Sequence, residues 1–374
     1  MERVVVVGAG LAGASVAWHL SRTHAVTLLE AGEQPGAEAS AQNAGMQRRL
    51  AHDPVERCLA IRSGRWLDDL PADFREAPPA RRVGGIIALA GDPTALDAGV
   101  AHLRDAGIAV HDVCDAPPPA LRGSALTRAW HIPDEALLDA HALVTGFLRG
   151  LRARGGTVLT RAPAQTLELG PTPRVHTPRG CFEADHLVLA GGAWSSRLAA
   201  QLGLHRPVTV LQRHLLAAHS HPVSAPDHPY CWIDDREVYV RPEAGGWLVS
   251  PCDETEVAPV AGAGPIDPVY RAWALDKLER HLPALADLHF TGGWTGLRTF
   301  AGDRRPVLGP DPEVPGLHWA TALGGFGVTC AFAAGELVAD RIRGTQPDWI
   351  DSPAVAPGRT LPFDRLPRAP GLAL

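Results

Sequence analysis

The stretch from Val4 to Glu30 constrains the fold more than any other part of this chain. Val4-Val5-Val6-Val7 is a short, continuous apolar run of the kind that forms a strand covered on both faces. It leads into Gly8-Ala9-Gly10-Leu11-Ala12-Gly13, where each glycine has its own physical reason. The first permits a tight turn, the second lets backbone approach a pyrophosphate, and the third lets the next helix lie close on the strand. Leu11, Ala14, Val16, Ala17 and Leu20 suit a buried helix whose N-terminus faces the phosphates. Ala25-Val26-Thr27-Leu28-Leu29 reads as the second strand, and Glu30 closes it. A carboxylate there accepts hydrogen bonds from ribose hydroxyls and repels a 2′-phosphate, which favours FAD or NAD over NADP.

At 374 residues the chain can bury a large core, and two interlocked domains are expected rather than three. Charged residues at 20% and hydrophobic ones at 45% give the balance of a soluble globular enzyme. The net charge of −6 provides no basic field for nucleic acid. No run approaches the roughly 18 uninterrupted apolar residues of a membrane span. The apolar segment after Met1-Glu2-Arg3 could pass for a signal peptide, but cleavage there would destroy the βαβ unit. Cys58, Cys114, Cys181, Cys231, Cys252 and Cys330 form no Cys-x-x-Cys pair, the pattern of reduced thiols in a cytoplasmic protein. The histidines show no His-Glu-x-x-His or Cys/His ligand spacing, so no metal site is expected, and His219-Ser220-His221 reads as a surface loop. There is neither a Gly-x-Ser-x-Gly elbow nor a phosphate loop ending in Gly-Lys-Ser/Thr. The pattern carries no signal for an oligomeric state.

Beyond Glu30, the small and polar run 36–45 reads as an irregular loop that permits close approach to something flat. Periodicity predicts helices over 54–70, 93–106, 139–154, 195–202, 268–282 and 328–342. It predicts strands over 83–89, 108–113, 157–159, 186–190 and 317–322, with strand-like alternation at 238–240 and 247–249. Nucleotide-binding text thus occurs at the beginning, middle and end of the chain. The expected architecture is α/β, α+β overall: a Rossmann-type domain with an inserted, mainly antiparallel-sheet substrate domain. The first would use residues 1–80, 134–204 and 300–345, the second 81–133 and 205–299, leaving 346–374 as an irregular tail.

Four segments together resemble the FAD-dependent D-amino acid oxidase superfamily, which includes glycine oxidase, sarcosine oxidase and D-amino acid dehydrogenase. They are the first glycine motif, then Leu187-Val188-Leu189-Ala190-Gly191-Gly192-Ala193-Trp194-Ser195, the run from Gly296 to Gly309, and Ala322-Leu323-Gly324-Gly325-Phe326-Gly327-Val328-Thr329 ahead of Ala334-Gly335-Glu336-Leu337. Their order covers residues 1 to about 345. The resemblance implies FAD, bound non-covalently, and oxidation of the C–N bond of a small amine or amino acid by hydride transfer to flavin N5, giving an imine. An amine within a peptide or partner protein is an alternative substrate, and a nicotinamide-dependent reductase an alternative enzyme.

The cofactor residues implied are Gly8, Gly10, Leu11, Ala12, Gly13, Glu30, Ala31, Ser40, Asn43, Ala44, Gly45 and Met46. Ala164, on a strand resembling the one that touches adenine, joins them, as do Gly192, Trp194, Gly324, Gly325, Phe326, Gly327, Val328 and Thr329. The glycine turn at 324–327 would feed a helix N-terminus whose positive end stabilises the reduced flavin. Arg298 resembles the arginine that clamps the substrate carboxylate, its fork giving two parallel charge-assisted bonds; a structural ion pair with Asp303 is the competing reading. Tyr239 looks like a position whose hydroxyl faces substrate, and Arg48 or Arg49, just after the flavin-facing loop, is expected to line the site. The cysteine that holds flavin covalently in sarcosine oxidases would fall near Gly296, where there is no thiol. Their oxygen-activating lysine would fall near Val249, and Lys277 is expected to face the surface. Pro251-Cys252 departs from a family glycine. Cys330, near the start of the last helix, is a thiol whose pKa a helix N-terminus could lower, or simply packing beside the cofactor.

Overall fold

The valine-rich run becomes the centre of a parallel sheet in the computed structural model, which describes residues 1–219, 223 and 225–359. Arg3–Val7 lies between Ala25–Leu29 and His186–Leu189, with Val7 opposite Leu29 on one side and Leu189 on the other. Thr157–Leu159 and Leu317–Thr321 extend the sheet outward, and Val307–Pro310 closes one edge antiparallel. Val4, Val5, Val6 and Val7 are all buried, as both-face coverage by helices and loops requires. The Leu11–Leu20 helix lies against the turn beside this strand, and a Cβ at Gly13 would stand 1.9 Å from the Gly8 carbonyl oxygen. Only glycine allows that approach.

On its far side the same helix packs against Ala331–Ile342 and Ala140–Ala153, and Pro54–Asp68 completes the layer. Asp53 and Asp139 start their helices by accepting hydrogen bonds from Val55 N and Ala142 N. Trp18, Trp66, Phe74, Phe147 and Phe332 fill the space between these helices. Trp66 and Phe332 stack with centroids 5.9 Å apart, while Trp18 meets its neighbours edge-on.

The second sheet has nine strands and one long pairing at its heart. Thr209–Ala218 runs antiparallel to Phe290–Phe300, from Thr209 opposite Phe300 to Ala218 opposite Phe290. Its other edge takes Thr255–Glu256 and Gly246–Ser250, and the sheet continues through Val238–Glu243, Tyr230–Ile233, Gly85–Leu89, Arg128–Ile132 and His111–Asp112. Only the pairing of Tyr230–Ile233 with Gly85–Leu89 is parallel. The Pro268–His281 helix seals one face, placing Ala274 and Leu278 among Val238, Val240 and Val249.

Several expectations change. Lys277 is buried, not surface-facing: its ammonium donates to the carbonyls of Glu237 at 2.8 Å and Pro251 at 2.7 Å. Those acceptors come from strand ends that helix periodicity could not reveal. The helix expected over 93–106 begins only at Asp97, because Asp92 holds Thr94 N and Oγ1 in a turn. The strand expected over 108–113 shrinks to His111–Asp112. Ala164 sits in irregular chain beyond Pro163, not on a strand, and a small antiparallel sheet of Thr166–Glu168, Arg174–Thr177 and Gly180–Glu183 follows it. The last helix starts at Ala331, since 327–330 forms a separate turn. His219 is exposed, whereas Ser220, His221 and the tail beyond residue 359 lie outside the described residues. Among those described, no helix is long and apolar enough to cross a membrane.

The aromatic nest should dominate the stability of the helical layer. Phe332→Ala removes a ring that four other aromatics contact, so it should cost about 3–5 kcal/mol. Denaturant unfolding measures this, and Phe332→Leu should lose distinctly less.

Candidate functional site

A cavity of about 570 Å³ opens where the carboxyl ends of the parallel strands meet the antiparallel sheet. Gly8, Gly10, Leu11, Ala12, Glu30, Ala31, Ser40, Ala164, Gly192 and Trp194 line one end. Gly13 does not; it stands behind them as the packing contact described above. Glu30 orders this end: its carboxylate accepts from Ala9 N at 2.9 Å and from Gly32 N at 2.8 Å. Ser40 Oγ accepts from Leu11 N at 2.9 Å, capping the helix terminus that faces the cavity. Small residues, helix-terminal amides and one carboxylate make a slot whose donor set suits an extended dinucleotide, phosphates on the amides and ribose toward Glu30.

Three distant segments are stitched together in the middle of the cavity. Asn43, Ala44, Gly45 and Met46 line it from one side, and Gly324, Gly325, Phe326, Gly327, Val328 and Thr329 from another. Thr329 Oγ1 donates to Met46 O at 2.9 Å, and Gly324 N donates to Thr299 O at 2.9 Å. A Cβ at Gly296 would stand 2.4 Å from Gln42 O. Position 296 therefore has no room for a cysteine, quite apart from lacking one.

Arg298 stands at the other end, on Phe290–Phe300, beside the glycine turn: a Cβ on Gly325 would be 3.1 Å from its Nη1. Among the described residues its guanidinium has no hydrogen bond and no ion pair. Asp303, the competing partner, is held instead by Arg359 at 2.8 Å. Burial and the neighbouring Arg213 pull Arg298 down to about 10, which still leaves it a cation at neutral pH. Arg213 also lines the cavity, but it is matched by Glu254 at 2.8 Å and by Asp253 O at 3.1 Å. Tyr239 is buried, lines the cavity, and its hydroxyl makes no hydrogen bond. Trp232 leans on it with centroids 4.8 Å apart and presents an unpartnered indole N–H.

Arg48 lines the cavity, its guanidinium 4.2 Å from the Trp232 ring and 4.4 Å from Phe326. Arg49 turns away into the core, where its backbone N–H donates to Glu135 Oε1 at 2.7 Å. Cys252 adopts a left-handed conformation, φ +56°, which a glycine would take without strain. Cys330 is buried, and that burial pushes its thiol up to about 12, so the lowering expected of a helix terminus does not prevail. Lys277 is not among the cavity residues. No group of metal-ligating side chains occurs among the described residues.

Sequence reasoning missed Arg213 and Trp232. Their strands look unexceptional alone; only sheet register brings them beside Arg298 and Tyr239.

The FAD dependent oxidoreductase family matches residues 3–341. Glycine oxidase of Bacillus licheniformis is 26% identical over 377 residues, covering 93% of this chain and 95% of that protein. D-amino acid dehydrogenase of Cereibacter sphaeroides is 26% identical, covering 98% and 97%. The crystal structure of glycine oxidase from Geobacillus kaustophilus superposes with a TM-score of 0.81 at 22% identity, over 96% of this chain and 100% of that one.

Glu30 gives the sharpest test of the dinucleotide end. Glu30→Ala removes two charge-assisted acceptors worth about 1.5–3 kcal/mol each, so FAD should bind at least about tenfold more weakly. Titration of apoprotein with FAD, followed by flavin fluorescence, reads this directly.

Proposed function

The chain belongs to the FAD dependent oxidoreductase family, and from that premise we propose that it oxidises the C–N bond of a small amino acid, which it holds by the carboxylate on Arg298. It is an enzyme whose cofactor is FAD, bound non-covalently. That sets aside the nicotinamide-dependent alternative. The relatives named glycine oxidase and D-amino acid dehydrogenase make amino acids the natural substrate class.

The observation that carries this reading is the unmatched guanidinium of Arg298, half-buried at the cavity wall and, among the described residues, with no acceptor of its own. A buried cation without a partner is costly, and a carboxylate that accepts both arms of the fork relieves it. The Tyr239 side chain lines the same cavity beside it. FAD, when bound, supplies the two-electron acceptor for the hydride that leaves the carbon bearing nitrogen.

The residues of the chain favour the reactive protonation state of the amine. Among the described residues the only carboxylates lining the cavity are Glu30 and Glu38. Glu30 is engaged with backbone amides at the dinucleotide end, and Glu38 accepts from Gly262 N at 2.9 Å. No acid beside Arg298 or Tyr239 lines the cavity to hold an ammonium ion, so the amine binds neutral, with its lone pair free to assist loss of hydride. The imine that results hydrolyses in water and needs no protein nucleophile.

Two outcomes follow. Acid precipitation should release the yellow cofactor into the supernatant, because position 296 admits no thiol; flavin retained on the pellet would contradict this. Arg298→Ala should weaken substrate carboxylate binding by about 2–5 kcal/mol while FAD stays bound, and Arg298→Lys should recover only part. KM together with anaerobic flavin bleaching measures both variants, and unchanged affinity in both would make Arg298 structural.

A further inference from the structure

The substrate chamber carries a second cation that one carboxylate leaves unused. Arg298, Tyr239, Trp232, Arg48 and Phe326 follow one another around its wall. Tyr239 and Trp232 touch, Arg48 lies over both Trp232 and Phe326, and Arg298 stands beside Gly325, next to Phe326. The two guanidinia thus flank the same glycine turn from different elements, one on the Phe290–Phe300 strand and one in the chain before the Pro54–Asp68 helix.

Arg48 is electrostatically under-matched. Among the described residues its side chain makes no hydrogen bond, and its nearest acid, Asp234, is 3.6 Å away. Asp234 is itself hydrogen-bonded to His52 at 2.6 Å, which leaves Arg48 with only a share of that charge. Glu56, raised to about 7 by burial, carries less than a full charge near Arg48 at neutral pH. The aromatic faces of Trp232 and Phe326 hold the guanidinium by cation–π contact. Such contact engages the face of the group and leaves its N–H edge for an acceptor.

We infer that the substrate is a dicarboxylic amino or imino acid, its amine-bearing carboxylate on Arg298 and its second carboxylate on Arg48. This rests on the amino-acid reading above and narrows it. The side chains of Trp232 and Tyr239 line the cavity with Arg48 and Arg298, and the indole N–H and the hydroxyl are buried without a hydrogen-bond partner. Among the described residues the lining carboxylates are Glu30 and Glu38, and Asp234, the acid beside Arg48, is not one of them. A monocarboxylate would leave Arg48 with only the Asp234 carboxylate, 3.6 Å away and shared with His52.

The test uses the FAD-loaded enzyme and two sets of probes. Acetate and propionate, against malonate, succinate and glutarate, are titrated by their perturbation of the visible flavin spectrum, a readout independent of turnover. Glycine and D-alanine, against D-aspartate, D-glutamate and iminodiacetate, are compared by anaerobic flavin bleaching and by kcat/KM. The expected result is a preference for the diacids of about tenfold or more in both sets. Arg48→Gln should collapse that ratio by about tenfold, and Arg48→Lys, which keeps the charge, should restore part of it. FAD content is measured on each variant, so the Lys variant decides the matter if the Gln variant loses cofactor. Equal binding of mono- and dicarboxylates, or an Arg48→Gln variant with the parent ratio, overturns the inference while leaving amino-acid oxidation intact. If neither class perturbs or bleaches the flavin, the carboxylate reading itself fails with it.

Discussion

The site depends on a seam where three chain segments, far apart in sequence, are held by short polar links. Thr329 Oγ1 donates to Met46 O, and Gly324 N donates to Thr299 O. Gly296 lies so close to Gln42 that no side chain could stand between them. These contacts join the loop after the second parallel strand, the long antiparallel strand and the turn before the last helix. The first two satisfy the backbone groups Met46 O and Gly324 N, which would otherwise lack partners in a buried place. The two sheets meet along this seam, and the cavity is the space it encloses.

Electrostatics then divides the cavity into two ends of opposite character. At the dinucleotide end, Glu30 is the organising charge, and it works by tying down the backbone of two neighbouring loops. At the substrate end the charges are positive, and the protein neutralises them unequally. Arg213 receives Glu254, which also takes Arg304, whereas among the described residues Arg298 has no ion pair. Arg48 shares Asp234 with His52. Desolvating a cation without a matching anion is unfavourable, and the protein tolerates it where a ligand supplies the missing charge. The under-matched arginines therefore support the carboxylate reading proposed above.

Much of the framework was legible because its signals are local. A buried parallel strand must be apolar on both faces, a helix that touches it needs a small residue at the contact, and Val4–Val7 with Gly13 write both requirements in adjacent positions. Helix starts at Asp53 and Asp139 were equally local, since a capping carboxylate acts over three residues. The errors have the opposite character. Lys277 looked surface-facing because one lysine on an amphipathic helix normally is, yet two carbonyls from other strands receive it. Arg213 and Trp232 carried no pattern of their own, since their importance comes from strand register across the antiparallel sheet.

By itself, then, the sequence determined that this chain would build a dinucleotide slot, because turn, strand and helix geometry are set within a few residues of each other. It also placed an arginine at position 298 and a glycine at 296. What only the tertiary structure decided is which of the arginines is free to bind. Asp303 could have paired with Arg298, and it pairs with Arg359 instead; Glu254 could have reached either cavity strand, and it matches Arg213. Whether a buried charge finds its partner depends on a few ångströms of separation between residues remote in the chain. No local pattern encodes that distance.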